Sequence, residues 1–161
     1  MNELKYIPGD LVMTNGVPLG TAKDVVYRVT SSDPTKTLKL DDGTVLKGVV
    51  CLENIEGAEF GEKGYLSGDS CAWVKDIVPL PLTPEILEKN GWVKDTHHHC
   101  LDEIPAEAYK KKDFPLTYFN VTFGKKRIQA SHDSLFVRNL KYVSDLQHLL
   151  FGLGINHEME V

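Results

Sequence analysis

Residues 117–131, TYFNVTFGKKRIQAS, alternate between apolar and polar side chains around Gly124. Successive side chains of a strand point to opposite faces, so Phe119, Val121 and Phe123 share one face while Tyr118, Asn120 and Thr122 share the other. A two-residue type II′ turn at Gly124-Lys125 predicts the pairs Phe123–Lys126, Val121–Ile128 and Phe119–Ala130. Thr122–Arg127, Asn120–Gln129 and Tyr118–Ser131 then pair on the polar face. Leu135–Arg138 reads as a third strand. Beyond it Val143, Leu146, Leu149, Leu150 and Leu153 recur at helical spacing and predict a helix near 142–153. Ser144 and Gln147 fit a capping box at its start, and Gly152 and Gly154 end it. A helix packed on one face of an antiparallel hairpin or sheet is an α+β unit.

Working upstream, residues 105–112 read as a short helix, and 97–100 as a loop or hairpin tip in a polar stretch. A helix start stands at Thr83-Pro84-Glu85. The threonine hydroxyl can accept an orphan N–H, proline has none to satisfy, and the carboxylate suits the positive end of the dipole. Leu82 and Leu87 can staple that start, and Asn90-Gly91 ends the helix, which predicts 84–90. The proline-bearing exit Pro79-Leu80-Pro81-Leu82 marks the boundary between a β-rich part over 1–80 and an α+β part over 81–161.

The first eighty residues read as short strands. Asp10–Met13 is closed by Asn15-Gly16, and Thr21–Thr30 follows. Thr37–Leu40 and Thr44–Leu52 flank Asp42-Gly43 as a hairpin, and Cys71–Val78 makes a last strand. Strands at this spacing predict a small SH3-like β-barrel or rolled sheet. Glu53–Ser70, with four glycines and four glutamates, reads as a mobile loop.

The chain has 161 residues, 42% hydrophobic and 25% charged, with a net charge of −5. That composition fits a folded domain rather than disorder, and the apolar runs are far shorter than the roughly 18 residues a span needs. Met1-Asn2-Glu3-Leu4 begins no signal peptide, and three cysteines are an odd count. These features predict a cytoplasmic setting with reduced thiols, Cys51 and Cys71 being inert and buried.

Two segments carry a resemblance. Pro81–Trp92, PLTPEILEKNGW, and Leu140–Leu150, LKYVSDLQHLL, are similar to phrases in small uncharacterised proteins of Bacteroides-type bacteria and their phages and mobile elements. In those proteins the first phrase follows a β-rich part, and a closing helix carries a Tyr-Val pair followed by Leu-Gln. The match covers about a seventh of the chain. It implies a mobile-element or phage-derived protein with a two-part layout, and it assigns no activity and no functional residue.

Charge is uneven. Ala108–Lys141 holds eight basic and two acidic residues, leaving −11 for the remainder. Lys110, Lys111, Lys112, Lys125, Lys126 and Arg127 flank Tyr118, and Asn120 and Gln129 share its predicted face. Such a face could hold a protein partner with acidic character, or stack a base and contact phosphate. His97, His99 and Cys100 are the metal-ligand candidates. In an extended segment, however, His97 and His99 share one side and His98 and Cys100 the other, and no spaced second pair accompanies them. Ser131-His132-Asp133-Ser134 holds the letters of a catalytic triad, whose members approach from separated positions. Gly57, Gly61, Gly64 and Gly68 lack phosphate-loop spacing and sit among glutamates.

The sequence therefore predicts a non-enzymatic interaction module without a cofactor. Its partner is an unknown macromolecule, protein before nucleic acid, and no membrane is involved. Nucleic-acid binding through the basic 108–141 face and a metal-dependent enzyme at 97–100 stand as alternatives.

Overall fold

The computed structural model describes residues 5–18, 20–55, 71–111, 119–132 and 135–161. The chain is mostly antiparallel sheet with two helices, broadly α+β. It divides into two compact units. One comprises Met1–Leu80 with Gln147–Glu158, and the other Pro81–Leu146 with Met159–Val161. The second half of the last helix and the segment after it thus group with the β-rich part.

The first unit holds β1 (Leu11–Thr14), β2 (Tyr27–Lys39), β3 (Val45–Asn54), β4 (Cys71–Trp73) and β5 (Ile77–Pro79) in the order β4-β3-β2-β1-β5. The path ends at β4 and β5, so the sheet is not closed into a barrel. Cys71–Val78, expected as one strand, is broken by a 3-10 turn at Val74–Asp76. Asp76 is buried there and accepts from Asn15 Nδ2 at 2.8 Å and Lys75 Nζ at 2.8 Å. The Asp42-Gly43 hairpin forms as expected: Leu40 N–H bonds to Thr44 carbonyl at 2.8 Å, and Gly43 has φ +86°. β2 runs past its expected end at Thr30, and its register shifts between Asp33 and Thr37, where Pro34 has no N–H to give a ladder. Tyr6, Val12, Val25, Tyr27, Val29, Val50, Leu52, Ala72 and Ile77 form the core. Inward and outward residues alternate along β2 and β3 to supply it.

Cys51 and Cys71 face each other across β3 and β4, with Cα atoms 4.1 Å apart, and form a disulfide. This overturns the expectation of two inert buried thiols. Cys71 is exposed, and Cys100 alone stays free. Sequence spacing could not show that antiparallel register sets the pair opposite. The expected Glu53–Ser70 loop lies, from 56 to 70, outside the described residues.

The second unit opens with α1 (Pro84–Lys89). Thr83 Oγ1 accepts from Ile86 N–H at 3.4 Å, Pro84 stands in the first turn, and Leu82 and Leu87 are buried. Its sheet runs β11 (Leu135–Leu140), β10 (Ile128–His132), β9 (Phe119–Phe123), β8 (Ile104–Lys111), β6 (Trp92–Lys94), with β7 (His99–Leu101) also on β8. The short helix expected at 105–112 is, as far as Lys111, instead strand β8. Ala and Lys favour helix, but here Ala108 is fully buried and β8 is paired on both sides.

The central hairpin keeps its predicted faces and changes its register. Phe123 pairs with Ile128, Val121 with Ala130 and Phe119 with His132. Each partner lies two residues beyond the expected one, and an even slip leaves every side chain on its face. The two-residue turn is replaced by a wider one in which Gly124 N–H meets Arg127 carbonyl at 2.9 Å. Gly124 does not take the positive φ that a II′ turn requires. A Cβ there would stand 2.6 Å from Leu101 Cδ2, so packing of β7 accounts for the glycine.

α2 (Val143–Gly152) forms close to its expected limits, with Val143, Leu146, Leu149 and Leu150 buried and Leu153 exposed. The Ser144–Gln147 capping box is absent. Asp145 Oδ2 accepts the N–H groups of Lys141 at 2.9 Å and Tyr142 at 2.8 Å, while Gln147 is fully buried and bonded elsewhere. Among the described residues no helix is long and apolar enough to cross a membrane.

Candidate functional site

Strand register orders the residues singled out from the second unit. Lys110 opposes Asn120, Asn120 opposes Ser131, and Ser131 opposes Phe136. Cross-strand partners share a face, so these four form one row across β8, β9, β10 and β11. Gln129 lies in the next row of that face, between Thr122 and Asn139. Asn120 and Gln129 thus share a face as expected, and Lys110, expected on a short helix, joins them because its segment is a strand. Lys112 and Tyr118, and Asp133 and Ser134 of the triad-like run, lie outside the described residues.

The basic residues are largely occupied within their own unit. Arg127 grips Asp102 through two bonds, Nε–Oδ2 at 3.1 Å and Nη2–Oδ1 at 2.6 Å. Lys94 pairs with Glu107 at 2.7 Å, and Lys110 stands 4.0 Å from Asp95. Lys111 donates to the Asn90 carbonyl at 2.7 Å and lies over the Trp92 ring. Lys125 and Lys126 are exposed on the turn. The second unit as a whole contains ten basic and ten acidic residues, so the positive stretch is offset by carboxylates drawn largely from residues 85–107.

The histidine run behaves as an extended segment. His97 Nδ1 and His99 Nε2 reach one carboxylate, that of Asp95, at 2.7 and 2.9 Å, while Cys100 Sγ lies 3.3 Å from His98 Nε2. Asp95 was not foreseen, although the spacing Asp95-x-His97-x-His99 puts all three on one side of a strand. Its side chain is 8% exposed. Burial alone would raise its pKa, but bonds from the His97 ring, His97 N–H and His99, with the Lys110 charge, hold it well below the usual carboxylate range. Asp95, His97 and His99 line an open cleft of about 500 Å³ with His98 and Glu107. Cys100 does not join His97 and His99. Among the described residues no group of three or more His, Cys, Asp or Glu side chains is placed to hold a metal ion.

The third strand read at Leu135–Arg138 is present as β11, and what sequence reasoning passed over is its exposed apolar edge. β11 is the terminal strand of the sheet, and Leu135, Phe136 and Val137 are 73%, 56% and 38% exposed. Three consecutive apolar residues in one strand were a visible signal. Only topology shows that the strand has no neighbour on its far side among the described residues.

No protein-family model matches the chain, and no curated protein or solved structure matches it.

Proposed function

We propose that the chain is a non-enzymatic interaction module that binds a protein through the β11 side of its second unit. The exposed Leu135-Phe136-Val137 run on a terminal strand carries this reading, because contiguous exposed apolar surface marks interaction sites. Phe136 also ends the row begun by Lys110, Asn120 and Ser131, which ties this edge to the face read from the sequence. Nucleic-acid binding has less support. Phosphate contacts need several free cations on one face, and Arg127, Lys94 and Lys111 are engaged internally, which leaves Lys125 and Lys126 on the turn apart from Arg138 on β11. A mobile-element or phage origin, with this module recognising a macromolecule of the host or phage, fits the same reading. The five-strand unit then serves as a rolled sheet of SH3-like type, its four-strand meander extended by β5 on β1.

The test is capture from a lysate of the source organism, with and without nuclease, by the wild type, Phe136→Glu and the Lys125→Glu, Lys126→Glu double variant. A protein partner that survives nuclease, is lost with Phe136→Glu and persists with the double variant is the expected result. Nucleic acid lost only with the double variant would move the site to the turn and make the chain a nucleic-acid binder.

A further inference from the structure

We infer that the open edge of β11 takes an extended acidic–apolar segment of the partner, added to the sheet as a further strand. The inference rests on the docking reading above and specifies its chemistry. Among the described residues β11 pairs only with β10, so alternate N–H and C=O groups on its far side have no ladder partner there. Six residues give an edge about 20 Å long, enough for a segment of similar length. Leu135 and Val137 offer aliphatic contacts and Phe136 an aromatic one, all exposed.

Charge selects the occupant. Neither β10 nor β11 contains a carboxylate. Arg138 is exposed and has no carboxylate partner among the described residues, unlike Arg127. Lys141 follows it, exposed, its ammonium over the Tyr142 ring at 5.2 Å. The described residues of β11 therefore present apolar groups, the Asn139 amide and the Arg138 charge, with no negative charge, and carboxylates on an incoming strand answer the arginine. The same features disfavour a second copy of β11. An identical strand brings its own arginine, and the register shift between Ala130 and Ser131 leaves Val137 without a partner on β10, kinking the edge away from flat self-pairing.

The experiment measures fluorescence anisotropy of two labelled, end-blocked peptides of about eight residues. One alternates valine with glutamate and the other valine with lysine. An oligothymidine of similar length is the third probe. The wild type should bind the glutamate peptide about tenfold more tightly than the lysine peptide, an advantage that shrinks with added salt. Arg138→Glu should reverse the order, and Arg138→Gln should bring the two peptides close together. Circular dichroism of each variant shows whether the fold is kept. Equal binding of the two peptides, or a preference that Arg138→Glu leaves unchanged, overturns the inference, as does tighter binding of the oligothymidine. If neither peptide binds while Phe136→Glu still loses the captured protein, the acidic-strand inference falls and the docking reading stands. If Phe136→Glu loses nothing, the docking reading falls as well.

Discussion

Gln147 holds Leu11 across 136 residues of chain: its side-chain oxygen accepts the Leu11 N–H at 2.9 Å in the buried interior of the first unit. The amide nitrogen of Gln147 donates to the carbonyls of Gly9 at 2.8 Å and His157 at 3.0 Å. Beside it His148 Nε2 meets the fully buried Asp10 carboxylate at 2.6 Å. The C-terminal segment is thus joined to β1 by side chains that complete backbone hydrogen bonding the strand cannot complete itself.

Replacing Gln147 tests this directly. Gln147→Ala leaves one N–H and two carbonyls without their partner, and a buried unsatisfied group costs about 1–3 kcal/mol. A loss of about 3 kcal/mol in urea unfolding is expected. Gln147→Glu should be no better, since its carboxylate keeps the Leu11 bond but faces two carbonyl oxygens. A change of less than about 0.5 kcal/mol, as for an ordinary surface substitution, would show that the segment contributes little.

The Cys51–Cys71 bond predicts a thiol count. Denatured but unreduced protein should titrate one thiol, Cys100, and reduced protein all three. With a separation of 20 residues, the bond should stabilise the first unit by about 3 kcal/mol through the chain entropy it removes from the unfolded state. Dithiothreitol and the Cys51→Ser, Cys71→Ser double variant should lower stability alike. Three reactive thiols in protein kept from reductant would instead mean that the bond does not form.

Asp95 predicts a pH dependence of the second unit. Its folded pKa lies below its unfolded value near 3.8, since bonds from His97 and His99 outweigh the cost of burial. Its stabilising contribution is therefore complete above the unfolded pKa and is lost as pH falls from about 4 toward the folded value. Asp95→Asn should cost about 2 kcal/mol at pH 7, the scale of hydrogen bonds to a buried charge. That gap should close in acid. Parallel unfolding curves for the two proteins from pH 7 to pH 2, with a constant gap, would remove Asp95 from the acid response.

What was legible in the sequence was local. Thr83-Pro84 and Asp42-Gly43 announce a cap and a hairpin because the chemistry lies within a few adjacent residues. The faces of β9 and β10 were legible for the same reason, being set by a period of two. Their register was not, because the turn depends on Leu101 packing against Gly124 from another strand. β8 was misread since Ala and Lys favour helix while neighbouring strands decide the outcome. At the candidate site, Asn120 and Gln129 were foreseen on one face, yet Lys110, read as part of a helix, and Phe136 were not. Nor was the Arg127–Asp102 pair, which joins two turns 25 residues apart.

Gly124 separates packing from backbone freedom. Its φ is ordinary, so alanine would incur no left-handed penalty there. The added Cβ would nevertheless stand 2.6 Å from Leu101 Cδ2 and 3.1 Å from the Arg127 carbonyl oxygen. The first contact can be relieved by moving Leu101, which is buried; the second involves backbone held in the turn. Gly124→Ala should therefore destabilise the second unit by about 2 kcal/mol, in the range for overpacking. Gly152→Ala is the matched control. It lies at the end of α2 with nothing within 4 Å of an added Cβ, so it should be neutral or stabilising by up to about 0.5 kcal/mol. If Leu101→Ala restores much of the stability lost in Gly124→Ala in a double-mutant cycle, the glycine is kept for β7. If the losses simply add, the turn itself requires it.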